Sequence, residues 1–403
     1  MLNFRDAQQR VLALAPRMGA ERVGLEEAGG RVLAEDVLCP SDVPSFDGSV
    51  MDGYAVRAGD FVGEGPWEFP VRGESRAGGD VPDQFVPKTV ARIFTGARLP
   101  TWADAVVMQE HVERAGDRAR FERGAKEGTF VRKRGDDLRS GAVAIARGAR
   151  LRPAHVALAG TVDRAWLTVA RRPRVVLLAT GDELRSPGTQ GPLGSIAESN
   201  TVGLAAMARR AGAHVAIAPL VADDLNATKE AFEAALSNAD VVISVGGVSV
   251  GDHDRVRPAL EAIGVTLDFY RVAMKPGKPL ALGKRGERIV LGLPGNPVSA
   301  MVTFAFFGAP LLRAMQGDAA PLPRAWRARA GRSMTREAGR LEFARASLAR
   351  DGASWTATPL DNQASGAIAT LARADALMAI PAECTELRAG DDVDVYLLEE
   401  LGI

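Results

Sequence analysis

Cysteine is almost missing from this chain, with only Cys39 and Cys384 among 403 residues. The two are far apart and show no Cys-x-x-Cys spacing, which excludes a disulfide framework and a zinc site built on thiolates. Histidine is equally sparse: the four present, His111, His155, His214 and His253, are scattered, and no His-Glu-x-x-His helix occurs. Any cation is therefore expected to be a hard one bound through oxygen. Net charge is also lacking, because 50 Lys plus Arg balance 50 Asp plus Glu. With no dense basic stripe interleaved with aromatics, nucleic acid is not an expected partner. The opening Met1-Leu2-Asn3-Phe4-Arg5-Asp6 lacks the charged start and apolar run of a secretory signal. The longest apolar window, residues 299–312, contains Gly308 and Pro310 and falls short of the roughly 20 residues that span a bilayer. These absences lead to the expectation of a cytoplasmic protein with no membrane or nucleic-acid partner. A chain of 403 residues should divide into about two to four domains.

What is present changes in texture along the chain. Asp6 can cap a first helix whose apolar face carries Val11, Leu12 and Leu14, and Pro16 and Gly19 end it. From Cys39 to Gly141, Gly, Pro and Asp are frequent and apolar runs are short, as in Tyr54-Ala55-Val56, Ala91-Arg92-Ile93-Phe94 and Ala105-Val106-Val107-Met108. That pattern predicts a strand-rich module with many turns. Residues 142–145 read as a strand, and a helix is expected to begin near Pro153. Beyond Arg171-Arg172-Pro173 strands and helices alternate: strands at 174–179, 215–219 and 240–245, and helices at 201–210, 227–236 and 254–263. Short strands at 279–282 and 288–292 then precede a long helix at 297–315. Alternation of this kind predicts a mostly parallel, doubly wound sheet with helices on both faces, and ligands in such sheets bind beyond the carboxyl ends of the strands. After Pro321-Leu322-Pro323 short alternating runs return, predicting a small β-rich terminal domain, and no internal repeat is found.

Three glycine-bearing turns fall at one edge of the predicted sheet. They are Thr180-Gly181-Asp182-Glu183-Leu184, the loop Val245-Gly246-Gly247-Val248-Ser249-Val250-Gly251-Asp252-His253-Asp254, and Gly292-Leu293-Pro294-Gly295-Asn296-Pro297. Glycines let the backbone approach a ligand and present successive N–H groups to an anion at a helix N-terminus. Pro297 suits the first helical position. Glu183, Asp223, Asp252 and Asp254 stand at or just after strand ends, and bare carboxylates beside a phosphate repel it unless a cation intervenes. A Mg²⁺-bridged phosphate or pyrophosphate resolves the conflict, with Glu183, Asp223 and Asp254 favoured as its ligands; Asp223, Asp252 and Asp254 can also be read as helix caps or solvated turn residues, the better reading for Asp252. In Arg271-Val272-Ala273-Met274-Lys275-Pro276-Gly277-Lys278-Pro279, alternation places Arg271, Ala273 and Lys275 on one face, with Lys278 turned toward the same region. Two readings stand here, an oxyanion contact and an exposed polar strand edge. The Asp-Gly turns around Asp47 and Asp52, Thr95-Gly96 and Arg134-Gly135-Asp136-Asp137 are equally compatible with plain loop chemistry.

Taken together these segments resemble the molybdopterin molybdenumtransferase family, the MoeA type of molybdenum-cofactor insertase to which the gephyrin E domain is also similar. The motifs carrying the resemblance run from Phe46-Asp47-Gly48-Ser49-Val50-Met51-Asp52-Gly53-Tyr54-Ala55 through Thr95-Gly96-Ala97, Arg134-Gly135-Asp136-Asp137 and Thr180-Gly181-Asp182-Glu183-Leu184. They continue through residues 246–254, 274–279 and 292–300, in family order. The resemblance implies four parts: a discontinuous N-terminal domain of residues 1–45 and 141–172, an inserted β-rich domain at 46–140, the α/β molybdopterin-binding domain at 173–318 and a β-barrel-like domain at 319–403. It implies a homodimer, with the active site between the α/β and C-terminal domains of one subunit and the inserted domain of the other. The implied reaction is insertion of molybdate into adenylylated molybdopterin with release of AMP, dependent on Mg²⁺ or another divalent cation. The molybdopterin adenylyltransferase is a further implied partner.

By position the resemblance assigns Glu183, Asp223 and Asp254 to the cation and pyrophosphate and Lys275 to an anionic substrate group. It assigns Asp52, Thr95 and Asp137 to the contribution across the dimer. Gly246, Gly247, Ser249, Gly251, Arg271 and Lys278 join Pro294, Pro297, Arg345 and Ser365 as substrate-binding positions. Arg271 stands where many members have lysine, which replaces a point charge by a planar fork. Two rival classes share features with this pattern. The adenylyltransferases resemble the α/β part alone and carry Thr-Gly-Gly-Thr-Gly where this chain has Val245-Gly246-Gly247-Val248-Ser249. A non-enzymatic scaffold has no need of Asp52, Glu183, Asp254 and Lys275.

Overall fold

The structure, a computed structural model, describes residues 1–247, 255–352 and 354–403. At its centre a six-stranded sheet runs in the order His214–Ile217, Arg174–Ala179, Val241–Val245, Arg288–Leu293, Pro279–Arg285, Thr266–Arg271. The first four strands are parallel, Pro279–Arg285 runs antiparallel to them, and Thr266–Arg271 is antiparallel to Pro279–Arg285 in turn. Because side chains alternate along a strand, Val175, Leu177, Val241 and Ile243 enter one apolar cluster while Leu178, Val242 and Val290 enter another on the opposite face. Helices Leu225–Asn238 and Val256–Ala262 cover the second face. Helix Asn200–Arg210 and the segment running from Pro297 to Met315 cover the first. The doubly wound α/β reading of this region is borne out. The Thr266–Arg271 strand is an addition at the sheet edge, pairing with Pro279–Arg285 through two register shifts.

The Pro297–Met315 stretch is long and apolar enough, at 19 residues, to cross a membrane, yet 83% of its most apolar window is buried in this fold. It is the core helix of the α/β region, widened into a π-helical turn at Phe304–Gly308. Pro310 has no N–H to give the carbonyl four residues back, and the Gln8 side chain donates to that Phe306 oxygen at 3.2 Å. Gln8 lies on the first helix, Phe4–Leu14. Asn3 rather than Asp6 caps this helix: the Asn3 side-chain oxygen accepts from the Asp6 N–H at 2.8 Å, as expected of the residue just outside the first turn. Phe4 packs edge-on against Phe306 and Phe307, each at 5.4 Å between centroids, and against Phe343 at 5.2 Å. Phe306 stacks on Phe343 at 4.2 Å. Each aromatic pair adds about 0.5–1.5 kcal/mol beyond its area burial, so the first helix, the core helix and the C-terminal region share one continuous core.

The C-terminal region closes into a five-stranded barrel of Trp326–Ala330, Asp392–Leu397, Ala376–Ile380, Leu341–Asp351 and Ser354–Pro359, the last pairing back onto the first. Ala328, Ala330, Ala344, Ala346, Ala357 and Ala376 fill its narrow interior, since so few strands leave little room for larger side chains. The bridge from the α/β sheet to this barrel is Met274–Lys275, which pairs in parallel with Leu341 and Glu342. Toward the N-terminus, Ala20–Gly24 pairs with Trp166–Ala170, and Val37–Leu38 with Val143–Ile145, around a separate cluster that includes helix Pro153–Thr161. Between them lies a second six-stranded sheet, ordered Ala105–Met108, Gly53–Val56, Val90–Ile93, Trp67–Ser75, Arg118–Phe121, Val112–Ala115.

Candidate active site

All three glycine-bearing turns meet at the carboxyl ends of the parallel strands, where they line one cavity of about 660 Å³. Gly246 and Gly247 follow strand Val241–Val245 with φ of 86° and 63°. A Cβ on Gly246 would stand 3.0 Å from the Thr180 carbonyl oxygen, and one on Gly247 2.6 Å from Val256 Cγ2. Glycine is thus required twice over, for the left-handed backbone and for the close approach of two turns. Ser249, Gly251, Asp252 and Asp254 lie outside the described residues.

Glu183 and Asp223 line the same cavity and both are exposed. A parallel bridge between Thr180 and Val221 brings their loops together, and the Asp223 N–H donates to Asp182 Oδ1 at 3.1 Å. The Glu183 carboxylate folds back over Gly181, where an added Cβ would meet its Oε2 at 2.5 Å. Asp223 is not a helix cap: Asp224 caps Leu225–Asn238 by accepting from the Ala227 N–H at 2.8 Å, which leaves the Asp223 carboxylate free to face the cavity. Thr180 Oγ1, on the same wall, is buried and has no hydrogen-bond partner among the described residues.

The third turn carries Pro294 and Pro297 into the lining. Pro297 begins its helix, as its fixed φ and missing N–H favour. Ser365 arrives from the C-terminal region: its hydroxyl accepts from Asn296 Nδ2 at 2.9 Å and its carbonyl from the Val298 N–H at 3.1 Å. Ser365 therefore ties the barrel side to the helix start. Arg345 does not reach the cavity. It is fully buried, and its Nη2 donates to the Asn362 and Ala364 carbonyls at 2.9 and 3.1 Å. Arg345, assigned as a substrate-binding position, instead turns its guanidinium onto carbonyls inside the fold and so holds the loop leading to Ser365. Burial pushes this guanidinium below its ordinary range, and the nearby Glu342 charge opposes that.

Lys275 sits outside the cavity lining, at the junction with the barrel, and its Nζ is 2.9 Å from Glu342 Oε1. Val272 and Met274 are buried while Arg271 and Lys275 are exposed, so the alternation of this segment is as read. Arg271 and Lys278 are exposed and form no ion pair among the described residues. In the inserted region Asp52 and Thr95 are brought together: Asp52 Oδ1 accepts from the Thr95 N–H and from Thr95 Oγ1, both at 2.8 Å. These two bonds, the backbone one first, hold the Asp52 carboxyl below the usual range. Asp137 pairs with Arg132 at 3.6 Å. Among the described residues no contact joins Asp137 to Asp52 or Thr95, and none of the three lines the cavity.

Sequence reasoning passed over Thr180, Asn200, Asn296 and Glu198, all in the lining. Glu198, one residue before the cap position of helix Asn200–Arg210, accepts from the Thr201 N–H at 2.8 Å and from the Thr201 hydroxyl at 2.5 Å. Asn200 Nδ2 donates to the Gly295 carbonyl at 2.7 Å, fastening the first turn to the third. The available signal was position, since each follows a strand end or opens a helix on the ligand edge.

Comparison with known families finds residues 2–162 similar to the MoeA N-terminal region (domains I and II), residues 176–314 to a probable molybdopterin binding domain, and residues 327–398 to the MoeA C-terminal region (domain IV). A molybdopterin molybdenumtransferase of Haemophilus influenzae is 37% identical over 348 residues, covering 86% of this chain and 85% of its own. Molybdopterin molybdenumtransferase 2 of Mycobacterium tuberculosis is 36% identical over 404 residues, covering 98% and 99%. Among solved structures, the molybdopterin biosynthesis MoeA protein of Pyrococcus horikoshii superposes with a TM-score of 0.86 at 29% identity, covering 98% of this chain and 100% of that one.

Proposed function

The chain belongs to the molybdopterin molybdenumtransferase family, enzymes of molybdenum cofactor biosynthesis, and from that premise we propose that it inserts molybdate into adenylylated molybdopterin with Mg²⁺-dependent release of AMP. The observation that carries this reading is the meeting of two exposed carboxylates, Glu183 and Asp223, with Gly246 and Gly247 in one cavity at the strand ends. The donor set fits Mg²⁺, which takes one or two carboxylates and fills its remaining positions with phosphate oxygens and water. Asp254, outside the described residues, is assigned as a third carboxylate. When bound, the ion supplies charge neutralisation and Lewis acidity to a pyrophosphate.

The chain's own groups do the rest. The turn at Gly246 and Gly247 gives backbone access to phosphate oxygens, and the Thr180 hydroxyl, without a partner among the described residues, stands beside it. Helices Asn200–Arg210 and Pro297–Thr303 begin at the cavity, so their N-terminal ends favour an anion there. Lys275, Arg271 and Lys278 are assigned to anionic groups of substrate or molybdate at the junction with the barrel. The substrate brings its own dithiolene sulfurs, which is why a chain with two cysteines suffices. Asp52, kept ionised by Thr95, and Asp137 are assigned to the site of the partner in a homodimer, and the molybdopterin adenylyltransferase to the donor of the substrate. The domain limits that go with this reading are 1–45 with 141–172, 46–140, 173–318 and 319–403. Separate apolar clusters in the discontinuous N-terminal part, the inserted part and the barrel support them, while one further core is shared by the first helix, the α/β part and the C-terminal part.

The test supplies purified protein with adenylylated molybdopterin, molybdate and Mg²⁺, and follows AMP together with the ability of the product to activate a cofactor-free molybdoenzyme. AMP release with active cofactor is expected. A folded protein that releases no AMP above the protein-free control overturns the reading.

A further inference from the structure

Glu342 is a carboxylate nearly out of solvent, 4% exposed, on the barrel strand that carries the bridge to the α/β sheet. Its two oxygens face different cations. Oε2 lies 2.9 Å from Arg336 Nε, and that guanidinium is as buried as the carboxylate. Arg336 is further fixed by donating from Nη1 to the Pro381 and Cys384 carbonyls at 2.7 and 3.1 Å. Oε1 lies 2.9 Å from Lys275 Nζ, whose side chain remains 46% exposed. Lys275 and Glu342 are also register partners in the parallel bridge, so the contact joins two domains at the level of backbone and side chain together.

The charges are unequal in consequence. Arg336 neutralises Glu342 inside the fold, and the Lys275 charge is left over, held at one point of the junction and open on its other side. A free lysine side chain loses rotamer freedom when it is ordered. One already held by a buried carboxylate has lost much of that freedom before the ligand arrives. We propose that Glu342 is a positioning residue: with its far oxygen anchored on Arg336, it holds the Lys275 ammonium in the geometry that receives the anionic substrate. This rests on the reading of Lys275 as a substrate contact made above.

The experiment is a double-mutant cycle on AMP release, with adenylylated molybdopterin varied at saturating molybdate and Mg²⁺. Lys275→Ala is expected to raise KM about tenfold, the loss of one charged contact, and Glu342→Gln about threefold to tenfold. Glu342→Gln in the Lys275→Ala background is expected to change nothing further. Factors that multiply in the double variant, or a Glu342→Gln KM equal to wild type, overturn the positioning role. A Lys275→Ala enzyme with wild-type KM and kcat instead overturns the substrate contact itself, so the two failures are told apart. Should Glu342→Gln not fold because Arg336 loses its counter-charge, Glu342→Asp keeps that charge and withdraws the oxygen from Lys275. The same pattern of a KM effect present only with Lys275 is then required.

Discussion

Replacing Gly247 by alanine tests whether the turn at the strand end is as tightly constrained as its geometry says. The residue has φ of 63° in the left-handed region, which costs an L-residue with a Cβ about 1–2 kcal/mol. The added Cβ would also stand 2.6 Å from Val256 Cγ2 and 3.1 Å from Thr180 Oγ1. Val256 is fully buried and branched at Cβ, so it cannot swing aside freely. Overpacking of this kind costs about 1–3 kcal/mol, and the two effects together reach about 2–5 kcal/mol. Gly264 serves as the control: its φ is 78° and nothing lies within 4 Å of its added Cβ, so alanine there meets the backbone cost alone. Urea unfolding of both variants, read as a change in midpoint at unchanged m value, separates the clash from the conformational strain. Gly247→Ala should be the less stable by about 1–3 kcal/mol, and its AMP release should fall because the displaced turn lines the cavity. Equal stabilities together with wild-type AMP release would refute the reasoning.

Thr95→Val removes the hydroxyl donor to Asp52 but leaves the Thr95 backbone donor, so the Asp52 carboxyl should titrate at higher pH than in wild type, read by carboxyl NMR. In wild type its lowered value contributes stability that is present above the ordinary carboxylate range and lost as pH falls through the folded value; an unchanged titration would disprove the role of Thr95. Asp240 is 9% exposed and sits among Arg171, Arg174 and Arg288 at the opposite end of strand Val241–Val245 from the cavity. Burial pushes its carboxyl up, but the hydrogen bonds from Arg174 and Arg171 outweigh this and leave it lowered. Asp240→Asn should cost about 1–3 kcal/mol at neutral pH, a gap that closes as pH falls through the carboxylate range, and should leave AMP release within about twofold. A loss of activity without a loss of stability would contradict the structural role.

The parts of the fold that were legible in the sequence are those where burial on two faces writes a pattern. Arg174–Ala179 and Val241–Val245 are apolar runs buried on both sides, and the glycines and proline that end or open elements fall where backbone geometry demands them. The Thr266–Arg271 strand was passed over: it is an edge strand whose polar–apolar alternation lasts only from Thr266 to Phe269. Placement of the first helix on the α/β core was also hidden, since the Phe4 contacts with Phe306 and Phe343 span most of the chain. Within the site, local rules brought Glu183, Gly246, Gly247 and Pro297 to one edge. They did not single out Asp224 as the cap of the next helix, nor find that Arg345 points inward and that Glu342 holds Lys275. The last is a statement about which neighbour a charge meets across domains, and no spacing within one segment encodes it.

Equilibrium binding of adenylylated molybdopterin with and without Mg²⁺, to wild type and to the Glu183→Ala/Asp223→Ala double variant, tests the central assignment most directly. If the two carboxylates hold the cation against the pyrophosphate, Mg²⁺ tightens binding to wild type by about tenfold or more and has no effect on the double variant. The same Mg²⁺ enhancement in both proteins would contradict it.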